Sequence, residues 1–464
     1  MSAPTFPLFV LLADSLEQQI RDGVYRSGDK LPSLREIAAS RGYGKNTVVS
    51  AFELLVARGL VEPRRGAGFF VKETVHHASQ AGESAGSPSR RRAMDIVWLM
   101  RMQLRNESGQ LAVGDAFPPS EWLAGARLDR THHKVARGGL GALFRYGDRL
   151  GYAPLRHRLV RRLADVGIDA RPQQIVLTHG ANQAMDLIVR YFVPPGGVVL
   201  IDDPGYYPLL GKLHLAGARI VGVPRLADGP DLQALQHSLE TLRPRLFFTQ
   251  SLAHNPTGSD LSLSKARAVL RLAEQHNLLL VENDALSDFR PATAPRLSAL
   301  DGLERTLYLG SFSKSLSAAL RVGFVACSPD LAQELADLKI LTTVSSSEYA
   351  ERAVETVLAE RRHAKHLEQL RGRLAEATHG AYALLDRMGA EVFVRPEHSL
   401  FIWVRWPGFA DAQALAQSML DMDIVMAPGN IFSIDHEQIS PWSRCNPHAV
   451  QDPQFARALE RLRG

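Results

Sequence analysis

The sequence has few of the residues that build disulfide frameworks, metal sites or membrane spans. Only Cys327 and Cys445 are cysteines among its 464 residues, and they do not stand at a metal-ligand spacing. No apolar run reaches the roughly 18 residues of a membrane span, and the N-terminal apolar segment includes Asp14 and Glu17 without a basic region before it. These absences exclude a disulfide-rich secreted protein and predict a cytoplasmic protein without metal or membrane contact.

Lysine is scarce, and the excess of positive charge is small. Nine lysines stand among 54 basic residues, so a lysine in an unusual setting merits attention. Against 49 acidic residues the net charge is +5, and the pI near 9.2 permits a polyanionic partner without requiring one. With 45% hydrophobic residues over this length, we expect two to four folded units with large cores.

A segment rich in Ser, Gly and Ala divides the chain. Residues 78–92 read ASQAGESAGSPSRRR, which is typical of a linker. We therefore predict a first domain over 1–75, a linker over 76–110 and a large domain over 111–464, whose smaller lobe begins at about residue 345.

The first domain has the pattern of a DNA-binding module. Helical spacing begins at Leu8, a second helix is predicted over 33–41 with Ser33 and Glu36 as a capping box, and a third over 46–58. Two short strands follow around a turn at residues 64–66. Helix, turn, helix and basic hairpin indicate a winged helix-turn-helix, whose second helix enters the major groove. By pattern alone, a helical protein–protein module is the alternative.

Residues 28–71 resemble the DNA-binding domain of the GntR family over nearly its whole length. The shared features are LPSLREIA, the Thr47-Val48 pair that opens the third helix, and GLVEPRRGAGFFV. The resemblance implies contact with double-stranded DNA by a set of matching positions: Arg35, Lys45, Asn46, Thr47, Arg64, Arg65 and Gly66.

The large domain alternates apolar strands with helices. Seven runs begin at residues 175, 198, 218, 245, 278, 306 and 321, and several are continuously apolar. Such runs are typical of a parallel sheet covered on both faces. We predict an α/β large lobe with a mostly parallel sheet and a smaller C-terminal α+β lobe.

Lys314 stands in a context that suits an aldehyde cofactor with a phosphate group. It follows a predicted strand in Ser311-Phe312-Ser313-Lys314, and Arg321 comes seven residues later. An amine forms a Schiff base with an aldehyde, while hydroxyls and a guanidinium bind phosphate. Lys265, within a helical pattern, illustrates the commoner surface lysine.

An ordered set of motifs over residues 110–464 resembles class I aminotransferases of fold type I. These motifs are YGDRLG from Tyr146, GAN from Gly180, DPGY from Asp203, NPTG from Asn255, END from Glu282, then Lys314 and Arg444. The resemblance implies pyridoxal 5'-phosphate (PLP) as cofactor, bound to Lys314 as a Schiff base. It implies cofactor contacts at Tyr146, Gly180, Ala181, Asn182, Tyr206, Asn255, Asn283, Asp284, Ser311, Ser313 and Arg321. Tyr146 is expected to reach the site of a second subunit in a homodimer, and Arg444 to bind an effector carboxylate.

Two positions depart from that family. Asn283 stands where a carboxylate pairs with the pyridine nitrogen, and Leu286 stands where a tyrosine is usual. Whether Asn283 or the adjacent Asp284 faces the nitrogen stays open. An amide there weakens the electron sink that carbanion chemistry needs.

The combination resembles the MocR subfamily of bacterial regulators. It implies a transcriptional regulator that senses an amine, an amino acid or a B6 vitamer through aldimine chemistry at Lys314. The alternative is an active aminotransferase with an attached DNA-binding domain. A regulator with a vestigial cofactor site is disfavoured because Lys314, Arg321 and Tyr206 are present.

Overall fold

The computed structural model describes residues 8–21, 24–64, 66–72, 96–97, 100, 110–137 and 144–463. Most of the predicted linker and Arg65 lie outside these ranges. Among the described residues, no helix is both long enough and apolar enough to cross a membrane.

The first domain is a winged helix-turn-helix with its own core. It consists of α1 (Leu8–Arg21), α2 (Leu34–Arg41), α3 (Lys45–Ala57) and a hairpin of β1 (Val61–Arg64) and β2 (Gly68–Val71). The predicted capping box is present, because the Ser33 side chain accepts from the Glu36 amide while the Glu36 carboxylate accepts from the Ser33 amide. Leu16, Val48, Phe52 and other apolar side chains form a core separate from those of the large domain.

The large lobe is built on an eight-stranded mixed sheet that is mostly parallel, as the apolar runs predicted. Its order is β3-β10-β9-β8-β7-β4-β5-β6, and the central strands pair in parallel. The strands are β3 (Ile175–Thr178), β4 (Val198–Asp203), β5 (Arg219–Leu226), β6 (Gly229–Pro230), β7 (Leu246–Thr249), β8 (Leu279–Asn283), β9 (Thr306–Ser311) and β10 (Gly323–Ala326). The carboxyl ends of the parallel strands meet at one edge, where ligands bind in such sheets.

Two helices, α4 (Ser120–Leu123) and α5 (Leu128–Arg137), precede the helices that cover the faces of this sheet. The covering helices are α6 (Ala153–Ala164), α7 (Gly180–Phe192), α8 (Tyr207–Leu215), α9 (Leu232–Leu242), α10 (Leu263–Gln275), α11 (Leu297–Asp301) and α12 (Pro329–Thr343). Short 3₁₀ turns lie at Ala124–Ala126, Pro172–Gln174, Ser287–Phe289, Gly429–Phe432 and Ala449–Gln451.

The small lobe packs helices on a four-stranded antiparallel sheet of order β11-β12-β14-β13. Its strands are β11 (Glu391–Val392), β12 (Ile402–Arg405), β13 (Ala427–Pro428) and β14 (Trp442–Cys445), and the C-terminal helices are α13 (Glu348–Leu358), α14 (Arg362–Arg387), α15 (Ala412–Leu420) and α16 (Pro453–Arg463). This is the predicted α+β lobe.

The lobe division differs from a single cut at residue 345. Helix α13 packs into a core cluster of the large lobe through Ala350, Val354 and Val357. Conversely, residues 111–114 cross to the small lobe, where Leu111 bridges Ile424 and Val113 enters the core. Helical periodicity reveals an apolar face but not the core against which that face packs.

Candidate functional site

The end of β9 and the start of α7 form a cradle for an anion. Gly180 opens α7 with a φ of 73°, and a Cβ at this position would lie 2.6 Å from the Arg321 guanidinium. Arg321 donates to the Ser313 hydroxyl at 3.1 Å and to the His179 carbonyl at 3.1 Å. Ser311 and Ser313 are hydrogen-bonded at 3.2 Å. A guanidinium, two hydroxyls and the first amides of a helix are the groups that bind phosphate.

Ala181 and Asn182 lie in the first turn of α7, as predicted. Ala181 is buried, and the backbone of Gly323 on β10 approaches so closely that a Cβ there would lie 2.7 Å from the Ala181 amide nitrogen. The buried Asn182 Oδ1 has no hydrogen-bond partner in the structure. The cradle therefore brings together the predicted residues of α7, β9 and Arg321.

Lys314 lies beside this cradle, with its Nζ 2.9 Å from the centroid of the Phe117 ring. Burial lowers the pKa of Lys314 to about 7; the charge of Asp115 opposes this shift, and those of Arg444 and Arg321 add to it. A buried amine with a lowered pKa is an effective nucleophile near neutral pH.

Asn255 and Arg444 form the small-lobe side of the site. Arg444 is buried on β14, and its guanidinium donates to Asn255 Oδ1 at 3.0 Å and to the Gly114 carbonyl at 2.8 Å. The guanidinium lies over the ring of Phe432 at 5.0 Å. The Nε of Arg444 is buried without a hydrogen-bond partner. The two terminal nitrogens of Arg444 thus donate to protein acceptors, while its Nε–H donor has no protein acceptor.

The two predicted tyrosines have different surroundings. Tyr206 precedes α8 and lines a small cavity with Asn283. Burial raises its pKa, and the charges of Arg444 and Arg321 oppose that shift. Tyr146 is 83% exposed within the single chain. The tertiary structure of one chain therefore does not bring Tyr146 into its own site.

Asn283 and Asp284 differ in their contacts. Asn283 ends β8 and lines a small cavity with Tyr206 and His254, and its Oδ1 has no partner. Asp284 instead accepts from Arg296 at 2.7 Å and from the Tyr308 hydroxyl at 2.9 Å, in a fully buried ion pair. The Asp284 carboxylate, for which the sequence implied a cofactor contact, is thus held by protein donors through its Oδ2, while its buried Oδ1 has no hydrogen-bond partner in the structure.

Sequence reasoning missed Asp115 and Phe117, which flank Lys314. Both lie in an irregular segment before α4, 199 and 197 residues before the lysine. Burial raises the pKa of Asp115, while the charges of Lys314 and Arg444 oppose the shift. The short GDAFPP segment has no periodicity, so no local signal could have identified these residues.

The predicted DNA-contacting residues fall into two groups. Arg35, Lys45, Arg64 and Gly66 are exposed, and Arg64 pairs with Glu62 at 2.9 Å along the hairpin. Asn46 and Thr47 instead contact the small lobe: the Asn46 amide donates to the Leu420 carbonyl at 2.9 Å, and Thr47 Oγ1 accepts from Gln417 at 3.0 Å. Arg65 lies outside the described residues.

Two family models match the chain in series. The model of bacterial regulatory proteins of the gntR family matches residues 11–71. The model of class I and II aminotransferases matches residues 109–462, about three quarters of the chain. The two matches cover the two parts that the fold separates.

Known regulators and an aminotransferase are similar to the chain. The uncharacterized HTH-type transcriptional regulator YdcR of Escherichia coli K12 is 31% identical over 93% of this chain and 92% of its own length. The probable rhizopine catabolism regulatory protein MocR of Rhizobium meliloti is 29% identical over 82% of this chain and 78% of its own length. Among solved structures, LysN, the α-aminoadipate aminotransferase of Thermus thermophilus, complexed with N-(5'-phosphopyridoxyl)-L-leucine, aligns with a TM-score of 0.71 and 27% identity over 78% of this chain and 95% of its own. The chain therefore belongs to the class I and II aminotransferase family and, with its GntR domain, to the MocR-type transcriptional regulators.

Proposed function

We propose that this regulator binds PLP at Lys314 and senses an amine, an amino acid or a B6 vitamer there. The observation that supports this most strongly is the setting of Lys314, a buried amine with a pKa near 7 beside the cradle of Ser311, Ser313 and Arg321. A surface lysine would keep a pKa near 10.4 and would not be a ready nucleophile.

The residues present fit PLP. The cradle supplies cationic and hydroxyl donors for the phosphate, and an added side chain at Gly180 would fill it. The buried amide oxygen of Asn283 has no protein partner, and Asn283 lines a small cavity with Tyr206. When bound, PLP would supply an aldehyde for Lys314 and an electron-accepting ring.

The other residues would orient that ring. Tyr206 offers an aromatic face, the Asn255 side chain would contact the phenolic oxygen, and Asn283 would face the pyridine nitrogen. The pairing of Asp284 with Arg296 favours Asn283 for that last position.

Arg444 supports an effector with a carboxylate. Its guanidinium is buried, desolvation strengthens its electrostatic interactions, and a carboxylate is the anion that its planar group matches. Among the candidate effectors, an amino acid would use both Arg444 and Lys314, whereas a simple amine would use only the lysine site.

The assembly that we propose is a homodimer on DNA. Two segments with exposed large apolar side chains, around residues 144–147 and 341–349, lie next to each other. Their proximity is shown at Gly147, where a Cβ would lie 3.7 Å from the Ser346 carbonyl oxygen. Leu341 is 85% exposed, and Phe144, Tyr146, Val344 and Tyr349 are also exposed. A second copy of the chain would cover this surface and receive Tyr146 at its site.

Active transamination is the second candidate. It is favoured by the Asn255–Arg444 contact and by the likeness to LysN, whose known structure holds a phosphopyridoxyl amino acid. Asn283 and Leu286 stand against it, since neither supplies the charge or the hydroxyl that supports carbanion formation.

The proposal is tested with the full-length protein and with duplex DNA that this protein selects from a random-sequence pool. We expect Lys314→Ala to abolish the visible absorbance of bound PLP and the response of DNA binding to amino acids and B6 vitamers. The control is Lys265→Ala, because Lys265 pairs with Asp228 at 2.7 Å away from the cradle. An unchanged absorbance in Lys314→Ala, or its loss in Lys265→Ala, would refute the assignment.

A further inference from the structure

The N-terminal end of α3 is docked on the small lobe. Asn46 donates to the Leu420 carbonyl at 2.9 Å, and Gln417 donates to the Thr47 hydroxyl at 3.0 Å. Gln417 and Leu420 belong to α15, and Asp421 follows them as its C-cap. Thr47 is only 1% exposed. The contact joins elements about 370 residues apart in the chain.

Asp421 completes this contact at the start of the helix. A Cβ on Gly44, the N-cap of α3, would lie 2.6 Å from Asp421 Oδ1 and 2.8 Å from its Cγ. Gly44 has no side chain with which to cap α3. Partial burial raises the pKa of Asp421, and a hydrogen bond with Thr47 opposes that shift. A carboxylate therefore lies where the exposed amides and the dipole of a helix favour negative charge.

DNA and the small lobe need the same part of α3. In helix-turn-helix proteins, residues near the N-terminus of the recognition helix contact base edges, and helix N-termini contact phosphates. Here Asn46 and Thr47 are bonded to α15, while the Asp421 carboxylate occupies the position of an anion. The two contacts are mutually exclusive for steric and electrostatic reasons.

The docked helix is linked to Arg444 through the small lobe. In the sheet, Ala427 on β13 pairs with Arg444 on β14. The turn after β13 is bonded to α15, since Asn430 donates to Gln413 Oε1 at 2.8 Å. A shift of β14 on effector binding would thus reach α15 through one strand and one hydrogen bond.

We propose that α15 and Asp421 form an autoinhibitory surface that covers the DNA-reading end of α3 until the small lobe moves. This inference rests on the proposed DNA binding and deepens it by naming the contact that regulates it. An effector changes DNA affinity in this scheme only by favouring the undocked arrangement, so the coupling is reciprocal.

The first experiment weakens the contact between α15 and α3 without altering the DNA-binding domain. The double variant Gln417→Ala/Asp421→Asn removes the donor to Thr47 and the charge at the helix start. We expect its affinity for the selected duplex, in the absence of effector, to rise about fivefold or more. The control is Ser418→Ala/Asp423→Asn, which also removes one polar side-chain group and one carboxylate charge in the same segment; the Ser418 hydroxyl is bonded within α15, and the φ of 59° at Asp423 tolerates Asn.

The second experiment locks the contact. In Gly44→Cys/Asp421→Cys, a sulfur replaces the Asp421 Cγ at 2.8 Å from the Gly44 Cβ, close to the roughly 3 Å that an S–S bond of about 2.05 Å requires. The native Cys327 and Cys445 are buried and do not compete. We expect the oxidised protein to lose DNA affinity about tenfold or more, and reduction of the same sample to restore it.

The outcomes separate this inference from the proposed function. Equal affinities in the two double variants, failure to form the disulfide, or full DNA binding by the disulfide-linked protein would each overturn the docking proposal. If neither the unmodified protein, nor the control variant, nor the reduced cysteine variant binds any duplex from the pool, the proposed DNA binding is wrong. Formation of the disulfide would still report whether α3 and α15 are in contact.

Discussion

Burial decides how Lys314 behaves, and neighbouring charges adjust it. Its pKa falls to about 7 mainly because its ammonium form is desolvated, and Asp115 is the charge that limits the fall. The two residues therefore form a pair in which a carboxylate adjusts the availability of a nucleophile.

The pH dependence of cofactor uptake follows from this pair. We expect the rate at which the apoprotein takes up PLP to rise with pH about a midpoint near 7, because the neutral amine reacts. Asp115→Asn removes the charge that stabilises the ammonium form, so the midpoint shifts to lower pH. Asp129→Asn, at an exposed site paired with Arg127, serves as the control. An unchanged midpoint in Asp115→Asn would contradict the role of this carboxylate.

We expect Asn283 to limit the chemistry at the site. We expect the unmodified protein to transaminate slowly or not at all, since an amide does not keep the ring nitrogen protonated as a carboxylate does. Asn283→Asp should raise the single-turnover rate with an amino acid on the order of tenfold or more. Asn277→Asp, before β8, is the matched control. Efficient transamination over many cycles by the unmodified protein would instead favour the second candidate function, an active aminotransferase.

Leu286 is less suited to substitution by the tyrosine that is usual in the family. Its side chain is buried in a cluster with Phe289 and Phe401 between the lobes. Insertion of a tyrosine would add volume and a hydroxyl to a packed apolar site, at a typical cost of about 1–3 kcal/mol. For this reason the test uses Asn283 alone.

The start of α7 depends on a glycine for two separable reasons. Gly180 has a left-handed φ of 73°, which strains other residues, and it lies against the Arg321 guanidinium. Gly196 has a similar φ of 77° but open space where a Cβ would lie. The two glycines therefore separate backbone strain from loss of the anion cradle.

Alanine substitution should distinguish these effects. Gly180→Ala and Gly196→Ala are both expected to lower the free energy of unfolding by about 1 kcal/mol through strain. Only Gly180→Ala should also weaken PLP binding, by about tenfold or more, because Arg321 is displaced. Titration of the apoprotein with PLP and denaturant unfolding measure the two quantities. Equal PLP affinities would show that the cradle does not depend on this close contact.

At the scale of the whole molecule, the exposed apolar surface near Tyr146 is the candidate dimer interface. The exposed apolar side chains near Tyr146 lie close to the phosphate cradle, since Gln183 in α7 donates to Thr343 at 3.0 Å. A dimer would bury this surface and complete two sites together.

The expected assembly can be disrupted at its centre. Leu341→Asp should shift the protein towards monomers in sedimentation and weaken PLP binding, because Tyr146 of the second subunit would be lost. Leu215→Asp introduces the same charge at another exposed leucine and should leave both properties unchanged. A monomeric unmodified protein with full PLP affinity would contradict the dimer.

Local sequence determined the elements and much of the candidate site. The apolar runs gave the strands, the Ser33–Glu36 spacing gave a capping box, and Ser311-x-Ser313-Lys314 with Arg321 gave the cradle, because hydrogen bonding and side-chain alternation act over a few residues. The family resemblance added Asn255, Tyr206 and Arg444, which periodicity alone would not have selected.

Only the tertiary structure decided which distant groups meet. It paired Asp284 with Arg296, placed Asp115 and Phe117 beside Lys314, and docked α3 on α15. Local patterns do not specify such partners, since each depends on how whole helices and strands pack around shared cores. The sequence thus determined the two domains and the chemistry available to each, whereas packing determined which charges lie beside Lys314 and which helix contacts α3.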